Sequence, residues 1–252
     1  MQKPQTAQER LIFALDVETE FKAHEYVNML EGVVSFYKVG WELFLLTGLS
    51  FVRHLTKNNL KAFLDLKVTP DIPEQLKRTV AQYVSNEIEF LTVHGNGKTI
   101  QMIKEARGDN RTVKLLSLTA LTTMDVHDMR DLYITDLHNS DFSFKFKSVE
   151  DFVKFRAEES LKAGCDGLIA SGKHAKMLRE NFGSEFILVC PGIRPEGFSP
   201  DDHKRAATPT EAIQNGADYL VVGRPIRDAD DPRDMAQRII DEIAAADHAV
   251  VS

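Results

Sequence analysis

Apolar and polar positions alternate in blocks along the whole chain. Eight short runs rich in leucine, β-branched and aromatic residues predict buried strands. They lie at Leu11–Val17, Phe36–Gly40, Lys61–Lys67, Phe90–Gly95, Lys114–Leu121, Gly167–Gly172, Phe186–Gly192 and Tyr219–Pro225. The segments between these runs are long enough for a helix after each strand.

Helical periodicity fills most of those intervals. Ile72, Leu76, Val80 and Val84 recur every four residues, as one buried face of a helix would. Further amphipathic segments lie at Phe21–Leu30, Leu49–Lys57, Lys98–Arg107, Val149–Lys162, Lys173–Glu180, Thr208–Asn215 and Met235–Ile243. Strand and helix patterns therefore alternate from end to end.

This alternation predicts an α/β fold in which residues 1–252 form a single (β/α)8 TIM barrel domain. An open, doubly wound sheet is the alternative, but it would normally carry a glycine-rich turn after the first strand, where Glu18–Thr19–Glu20 stands instead. The polar segment 125–148 interrupts the pattern. We predict a loop insertion there, with a short helix around Val126–Leu132.

Composition restricts the class of protein. The chain is 43% hydrophobic and 27% charged and contains no run of eighteen apolar residues, so we expect no transmembrane helix and no membrane partner. Its polar N-terminus does not resemble a secretory signal. Two cysteines, Cys165 and Cys190, suit a reducing cytoplasm. The net charge of -7 argues against a nucleic-acid partner, but it does not exclude an anionic ligand.

Polar and glycine residues collect where the predicted strands end. In a (β/α)8 barrel these carboxyl ends form the active-site face. The residues concerned are Asp16, Lys38, Asp65, Lys67, His94, Thr122, Thr123, Gly192, Arg194, Gly223 and Arg224. Because most of the eight ends carry such a group, we predict a site on this face.

The third strand has the densest charge. Asp65 and Lys67 are two residues apart, so strand geometry points both to the same side, and Asp71 follows beside Pro70 and Pro73. Charges at the end of an apolar strand are costly to bury unless they pair. This pattern alone fits a structural salt bridge as well as a catalytic cluster.

Two later segments suggest an anion site and a lid. Gly223–Arg224 follows the last strand, where barrels often bind phosphate, although the pair also fits a turn with a surface arginine. The stretch from Pro191–Gly197 through Asp201 to Thr208 is long for a loop in a compact domain. It indicates either a lid over a ligand or an ordinary surface loop.

An ordered set of motifs extends through almost the whole chain. It comprises Ala14–Leu15–Asp16, Lys38–Val39–Gly40, Asp65–Leu66–Lys67, Asp71–Ile72–Pro73, Thr92–Val93–His94, Leu121–Thr122–Thr123–Met124, Pro191–Gly192–Ile193–Arg194–Pro195, Thr208–Pro209, Gly216–Ala217–Asp218–Tyr219 and Gly223–Arg224–Pro225–Ile226. With these motifs the chain resembles the orotidine 5′-phosphate decarboxylase family.

The resemblance implies decarboxylation of orotidine 5′-monophosphate to UMP in pyrimidine synthesis, without a cofactor or metal, by a homodimer with shared active sites. Lys38, Asp65, Lys67 and Asp71 would form a network of alternating charge. Lys67 would protonate C6 of the pyrimidine, and Asp71 would come from the partner subunit. The implied substrate-binding residues are Asp16, Lys38, Thr123, Pro191, Arg194, His203, Gly223 and Arg224.

The chain also departs from that family's pattern. Three residues, Val68–Thr69–Pro70, separate Lys67 from Asp71 where the family has two, and Glu74–Gln75 replaces an Asn-Thr pair. Thr123 replaces a serine that hydrogen-bonds the pyrimidine in that family, and His203 replaces a glutamine of the lid. Two alternatives follow from these differences. One is a relative that acts on another phosphorylated substrate with a metal, for which Glu42 is a candidate ligand. The other is a non-catalytic phosphate-binding barrel.

Overall fold

Eight parallel strands close into a barrel in chain order, each paired with its neighbours in the sequence and β1 with β8. The computed structural model describes residues 3–68, 73–121, 124–125, 127–128, 146–196 and 206–251. The strands are β1 Leu11–Ala14, β2 Phe36–Val39, β3 Lys61–Val68, β4 Phe90–Val93, β5 Lys114–Leu118, β6 Gly167–Ile169, β7 Ile187–Pro191 and β8 Tyr219–Val222. The predicted (β/α)8 barrel is confirmed, and the open sheet is excluded.

Helices surround this barrel. They are α1 Ala7–Arg10, α2 Glu20–Met29, α3 Trp41–Thr47, α4 Ser50–Lys57, α5 Pro73–Ser85, α6 Gly97–Arg107, α7 Val149–Lys162, α8 Gly172–Phe182, α9 Pro209–Gln214, α10 Arg224–Arg227 and α11 Pro232–Val251. The predicted short helix in the 125–148 insertion falls almost wholly outside the described residues. In the described ranges, no helix has the length and apolar character needed to cross a bilayer.

Several helix starts are fixed by a side-chain cap. The N-cap residue accepts a hydrogen bond from a backbone N–H of the first helical turn, which would otherwise lack a partner. These caps are Thr6, Thr19, Asn96, Ser148, Ser171 and Thr208. Thr208 and Glu211 form a reciprocal capping box at the start of α9.

Aromatic side chains fill the barrel interior toward the amino ends of the strands. The rings of Phe36 and Tyr219 each lie 5.0 Å from the ring of Phe90, and the ring of Phe63 lies 5.8 Å from it. All four side chains are buried in one cluster that includes apolar residues from the remaining strands. A packed interior of this kind is typical of a (β/α)8 barrel, whose ligands bind at the carboxyl ends of the strands.

Two buried ion pairs fasten the opposite, amino-terminal face. Asp218, just before β8, accepts hydrogen bonds at Oδ2 from Arg179 of α8 (2.7 Å) and from the backbone N–H of Leu188 (2.8 Å). Asp166, just before β6, does the same with Arg107 of α6 and the backbone N–H of Leu115. Each carboxylate therefore joins a helix end to a neighbouring strand.

We expect Asp218→Asn to lower the free energy of unfolding by about 3 kcal/mol, measured by urea denaturation. An amide keeps one acceptor oxygen, but its NH2 group would face the donors of Arg179, Leu188 or Lys3, the last of which lies 3.0 Å from Oδ1. Asp234→Asn, which breaks only an exposed pair with Arg238 within α11, is the control and should change stability little. Equal losses in both variants would contradict this account.

Candidate active site

A cavity of about 510 Å³ opens at the carboxyl ends of the strands. Its walls include eight of the eleven catalytic and substrate-binding residues that the family resemblance implies. These are Asp16, Lys38, Asp65, Lys67, Pro191, Arg194, Gly223 and Arg224. The other three predicted residues, Asp71, Thr123 and His203, lie outside the described residues.

Four of the charged side chains form a row across this cavity. Lys38 Nζ lies 3.0 Å from Asp16 Oδ1 and 3.6 Å from Asp65 Oδ2, and Lys67 Nζ lies 3.1 Å from Asp65 Oδ1. The signs alternate from Asp16 to Lys67, so each inner charge has an opposite charge on both sides. The row is thus a connected network that spans strands β1, β2 and β3.

The row keeps its buried members ionised. Burial by itself would raise the pKa of the Asp65 carboxyl, but Lys38 and Lys67, together with hydrogen bonds, outweigh it and hold that pKa below its usual range. Burial would likewise lower the pKa of Lys38, but Asp16 and Asp65 outweigh it and raise that pKa. Asp65 is therefore an anion, and Lys38 a cation, at neutral pH.

The backbone at Lys67 is irregular. Leu64 and Val68 are four residues apart in β3, while their partners Leu91 and Val93 in β4 are only two apart, so β3 bulges between them. Lys67 itself has a φ of 50°, a conformation that costs a non-glycine residue roughly 1–3 kcal/mol. Lys67 and Asp65 do meet, as expected, but through this bulge rather than through regular strand alternation.

Two residues that the sequence analysis quoted within motifs, without assigning them a role, also shape the row. Thr92 of β4 is completely buried, and its hydroxyl donates a hydrogen bond of 2.7 Å to Asp65 Oδ1. A Cβ at Gly40 would lie 3.0 Å from Asp16 Oδ1 and 3.3 Å from Lys38 Nζ, so a side chain there would crowd their ion pair. The polar interior position in β4 was the available signal for Thr92.

Arginines line the cavity on the side of β7 and β8. Arg224 follows Gly223 as the first residue of α10, and Arg194 enters from the segment after β7. Arg227, at the end of α10, also lines the cavity and donates from Nη1 to the backbone oxygen of Asp16 at 2.9 Å. This side of the cavity suits an anion, because guanidinium groups and a glycine backbone can both approach it closely.

The two segments that flank the predicted lid are joined to each other. Ile193 and Ala207 form a parallel bridge, and the backbone N–H of Arg194 donates to the oxygen of Ala207 at 2.9 Å. Residues 197–205, between these segments, lie outside the described ranges. The bridge lies next to Arg194, which lines the cavity.

Glu42, the candidate metal ligand of the alternative function, lies in the first turn of α3. Its side chain is exposed and does not line the cavity. Within the described part of the chain, no three His, Cys, Asp or Glu side chains are grouped as a metal site would require.

Fold and site together define the class. This is a (β/α)8 barrel with a row of charged residues and several arginines in a cavity on the carboxyl-terminal face of its strands. Residues 9–239 match the model of the Orotidine 5′-phosphate decarboxylase / HUMPS family. The chain belongs to this family.

Individual relatives agree with that assignment. Orotidine 5′-phosphate decarboxylase of Nitrobacter winogradskyi is 43% identical over 240 residues, which cover 95% of each chain. The enzyme of the same name from Methylococcus capsulatus is 41% identical over 94% of this chain and 92% of its own. The crystal structure of orotidine 5′-phosphate decarboxylase from Lactobacillus acidophilus matches with a TM-score of 0.77 and 31% identity, covering 96% of this chain and 99% of the other.

We expect Lys38→Met to make the protein more sensitive to acid. Asp65 contributes stability above the ordinary carboxyl range near pH 4, and this stability is lost as the pH falls through its lowered pKa. Without Lys38, one of the groups that lowers the pKa of Asp65 is lost while the effect of burial remains, so this pKa rises. The acid-unfolding midpoint, followed by circular dichroism, should move up by roughly half a pH unit or more.

Lys162→Met is the matched control, since it removes a lysine from an exposed pair with Glu158. Its midpoint should stay at the wild-type pH. If the midpoints of both variants shifted equally, the loss of one positive charge would explain the shift. The contact between Lys38 and Asp65 would then have no part in it.

Proposed function

We propose that this barrel is a carboxy-lyase that converts orotidine 5′-monophosphate to UMP in pyrimidine biosynthesis, with Lys67 as the proton donor. One observation carries the proposal: a row of alternating charges ends in a lysine inside a cavity that is also lined by arginines following β7 and β8. A nucleotide with a carboxylate on its base and a phosphate on its ribose suits these two sets of groups. The family membership supports the same substrate.

In the proposed reaction, Lys67 replaces the lost carboxyl group on C6 with a proton. The bond between C6 and the carboxyl carbon breaks, CO2 leaves, and the electron pair stays on C6. The Lys67 ammonium stabilises this developing carbanion and then gives it a proton, after which solvent restores the proton on Nζ. A positive charge fixed at 3.1 Å from Asp65 needs little reorganisation as the carbanion forms.

Asp65 has two roles in this proposal. It holds the ammonium groups of Lys38 and Lys67, 3.6 and 3.1 Å away, and it stands beside the substrate carboxylate. Two nearby carboxylates repel each other, and the repulsion ends when CO2 leaves as a neutral molecule. This destabilises the bound substrate more than the transition state.

Groups remote from C6 would supply binding energy. We assign the ribose hydroxyls to Asp16 and Lys38, and the phosphate to Arg224 with the backbone of Gly223. Pro191 and Arg194 complete this wall of the cavity. Interactions with the phosphate can promote closure of the loop whose flanking segments meet at Ile193 and Ala207. In the same scheme Thr123 and His203 contact the pyrimidine and the lid side of the nucleotide.

The decisive test is an assay of UMP formation from orotidine 5′-monophosphate with and without a chelator. We expect turnover in both conditions, and a loss of roughly 10³-fold or more in kcat for Lys67→Ala. Lys57→Ala, on the exposed surface of α4, should retain wild-type turnover. Substantial turnover by Lys67→Ala would mean that another group donates the proton.

The same assay separates the two alternatives. If no UMP forms but another phosphorylated substrate is turned over, in a reaction that a chelator abolishes and added metal restores, the metal-dependent relative is favoured. Tight UMP binding with no turnover of any kind would favour the non-catalytic barrel.

We also propose that the chain forms a homodimer through α3, with Asp71 completing the partner's site. Three apolar side chains of this short helix are exposed, with Trp41 at 52%, Leu45 at 76% and Leu46 at 55%. Such a cluster is unusual on a surface that faces water. Trp41 also lines the cavity, so this face lies next to the site that a partner residue would have to reach.

Leu45→Lys should convert the dimer to a monomer, measured by light scattering after size exclusion, because a charge would be buried without a partner. Turnover should fall with the dimer if Asp71 acts across subunits. Lys176→Glu, on exposed α8 at the other side of the barrel, is the control and should remain dimeric. An unchanged mass for Leu45→Lys would remove α3 from the interface.

Two broader assignments belong to this proposal. We infer a single barrel domain, since the pairing of β1 with β8 requires both ends of the chain. We place the protein in the cytoplasm, because Cys165 and Cys190 are both free, as is usual in a reducing compartment.

A further inference from the structure

Thr92 lies at the centre of the charged row without carrying a charge. Phe63 of β3 pairs with Phe90 of β4, and Leu64 with Leu91, so the next residues along the two strands, Asp65 and Thr92, are neighbours. The Thr92 side chain points into the barrel, is completely buried, and donates its hydroxyl to Asp65 Oδ1 at 2.7 Å.

The surroundings make this hydroxyl unusual. Thr92 pairs with Leu116 of β5, and Leu116, Phe63 and Phe90 all belong to the buried apolar cluster of the barrel interior. A buried hydroxyl in such a place is costly unless it is hydrogen-bonded, and valine would fill the same volume without that cost. The partner of Thr92 is the carboxylate that links the two lysines.

Asp65 is held from three directions. Oδ1 accepts from Thr92 and lies 3.1 Å from Lys67 Nζ, while Oδ2 faces Lys38 Nζ at 3.6 Å. Lysine ammonium groups on flexible stems attract a carboxylate but do not fix its rotation. A hydroxyl on a β-branched side chain in a strand has few rotamers, so it can fix the plane of the carboxylate.

We propose that Thr92 is a positioning residue of the active site, whose hydroxyl orients the Asp65 carboxylate so that one oxygen stays on Lys67 and the other on Lys38. The proposal rests on the decarboxylase function proposed above. Thr92 has no contact with the substrate in this scheme, and it acts through Asp65.

The hydrogen bond also favours the ionised carboxylate, because the Asp65 oxygen accepts it most strongly when charged. Losing it should move the titration of Asp65 toward higher pH. A role in packing alone would leave that titration unchanged.

The test compares Thr92→Val with Thr92→Ser in the full-length protein. Thr92→Val keeps the volume and removes the donor, so kcat/KM should fall about 10- to 100-fold, the range expected for a hydrogen bond to a charged group. The acid limb of its pH profile should move to higher pH. Thr92→Ser, which keeps the hydroxyl, should recover most of the activity and the wild-type pH limb.

Thr119→Val is the matched control. Thr119 of the neighbouring strand end is also buried, but its hydroxyl donates to the backbone oxygen of Ile169 and it does not line the cavity. This variant should keep the wild-type pH profile. If Thr92→Val folds poorly, Thr92→Ala also removes the donor and serves in its place.

A second measurement is independent of turnover. The Asp65 carboxyl carbon can be titrated by NMR in aspartate-labelled protein, with Asp65→Asn identifying the signal. An inactive wild type would refute the decarboxylase, yet this titration would still report the Thr92 contact. Unchanged Asp65 titration and unchanged kcat/KM in Thr92→Val would overturn the proposal, as would equal losses in Thr92→Ser and Thr92→Val.

Discussion

The site depends on one buried anion. Asp65 projects from β3 into a barrel whose interior is filled mostly with aromatic and aliphatic side chains. In such surroundings a carboxylate is stable only with cations close by, and Lys38 and Lys67 lie on its two sides. Lys38 in turn needs a second anion, which is Asp16 at the end of β1. The ion-pair network of three strands thus follows from the placement of one side chain.

The barrel could be predicted because its signal repeats. Each strand is an apolar run and each long helix has a periodic face, so errors at single residues do not change the pattern. The helices that escaped prediction are α1 and α10. Each has four residues, which is too short for periodicity to show.

The charged residues of the site were also within reach of the sequence, because polar groups at the ends of apolar strands are conspicuous. The sequence did not predict contacts that depend on strand register or on backbone atoms. Thr92 meets Asp65 only because β3 and β4 pair as they do, and Arg227 meets a carbonyl oxygen, which no side-chain pattern marks. The bulge that brings Lys67 to Asp65 is equally invisible in a string of alternating residues.

The pairs Arg179–Asp218 and Arg107–Asp166 lie at the amino-terminal face, across the aromatic layer from the cavity. The stabilising ion pairs and the candidate active site therefore lie on opposite faces of the same barrel. Substitutions at the amino-terminal face can therefore change stability without disturbing the reacting groups. Substitutions at the carboxyl ends of the strands can equally change the ligand while the barrel is kept.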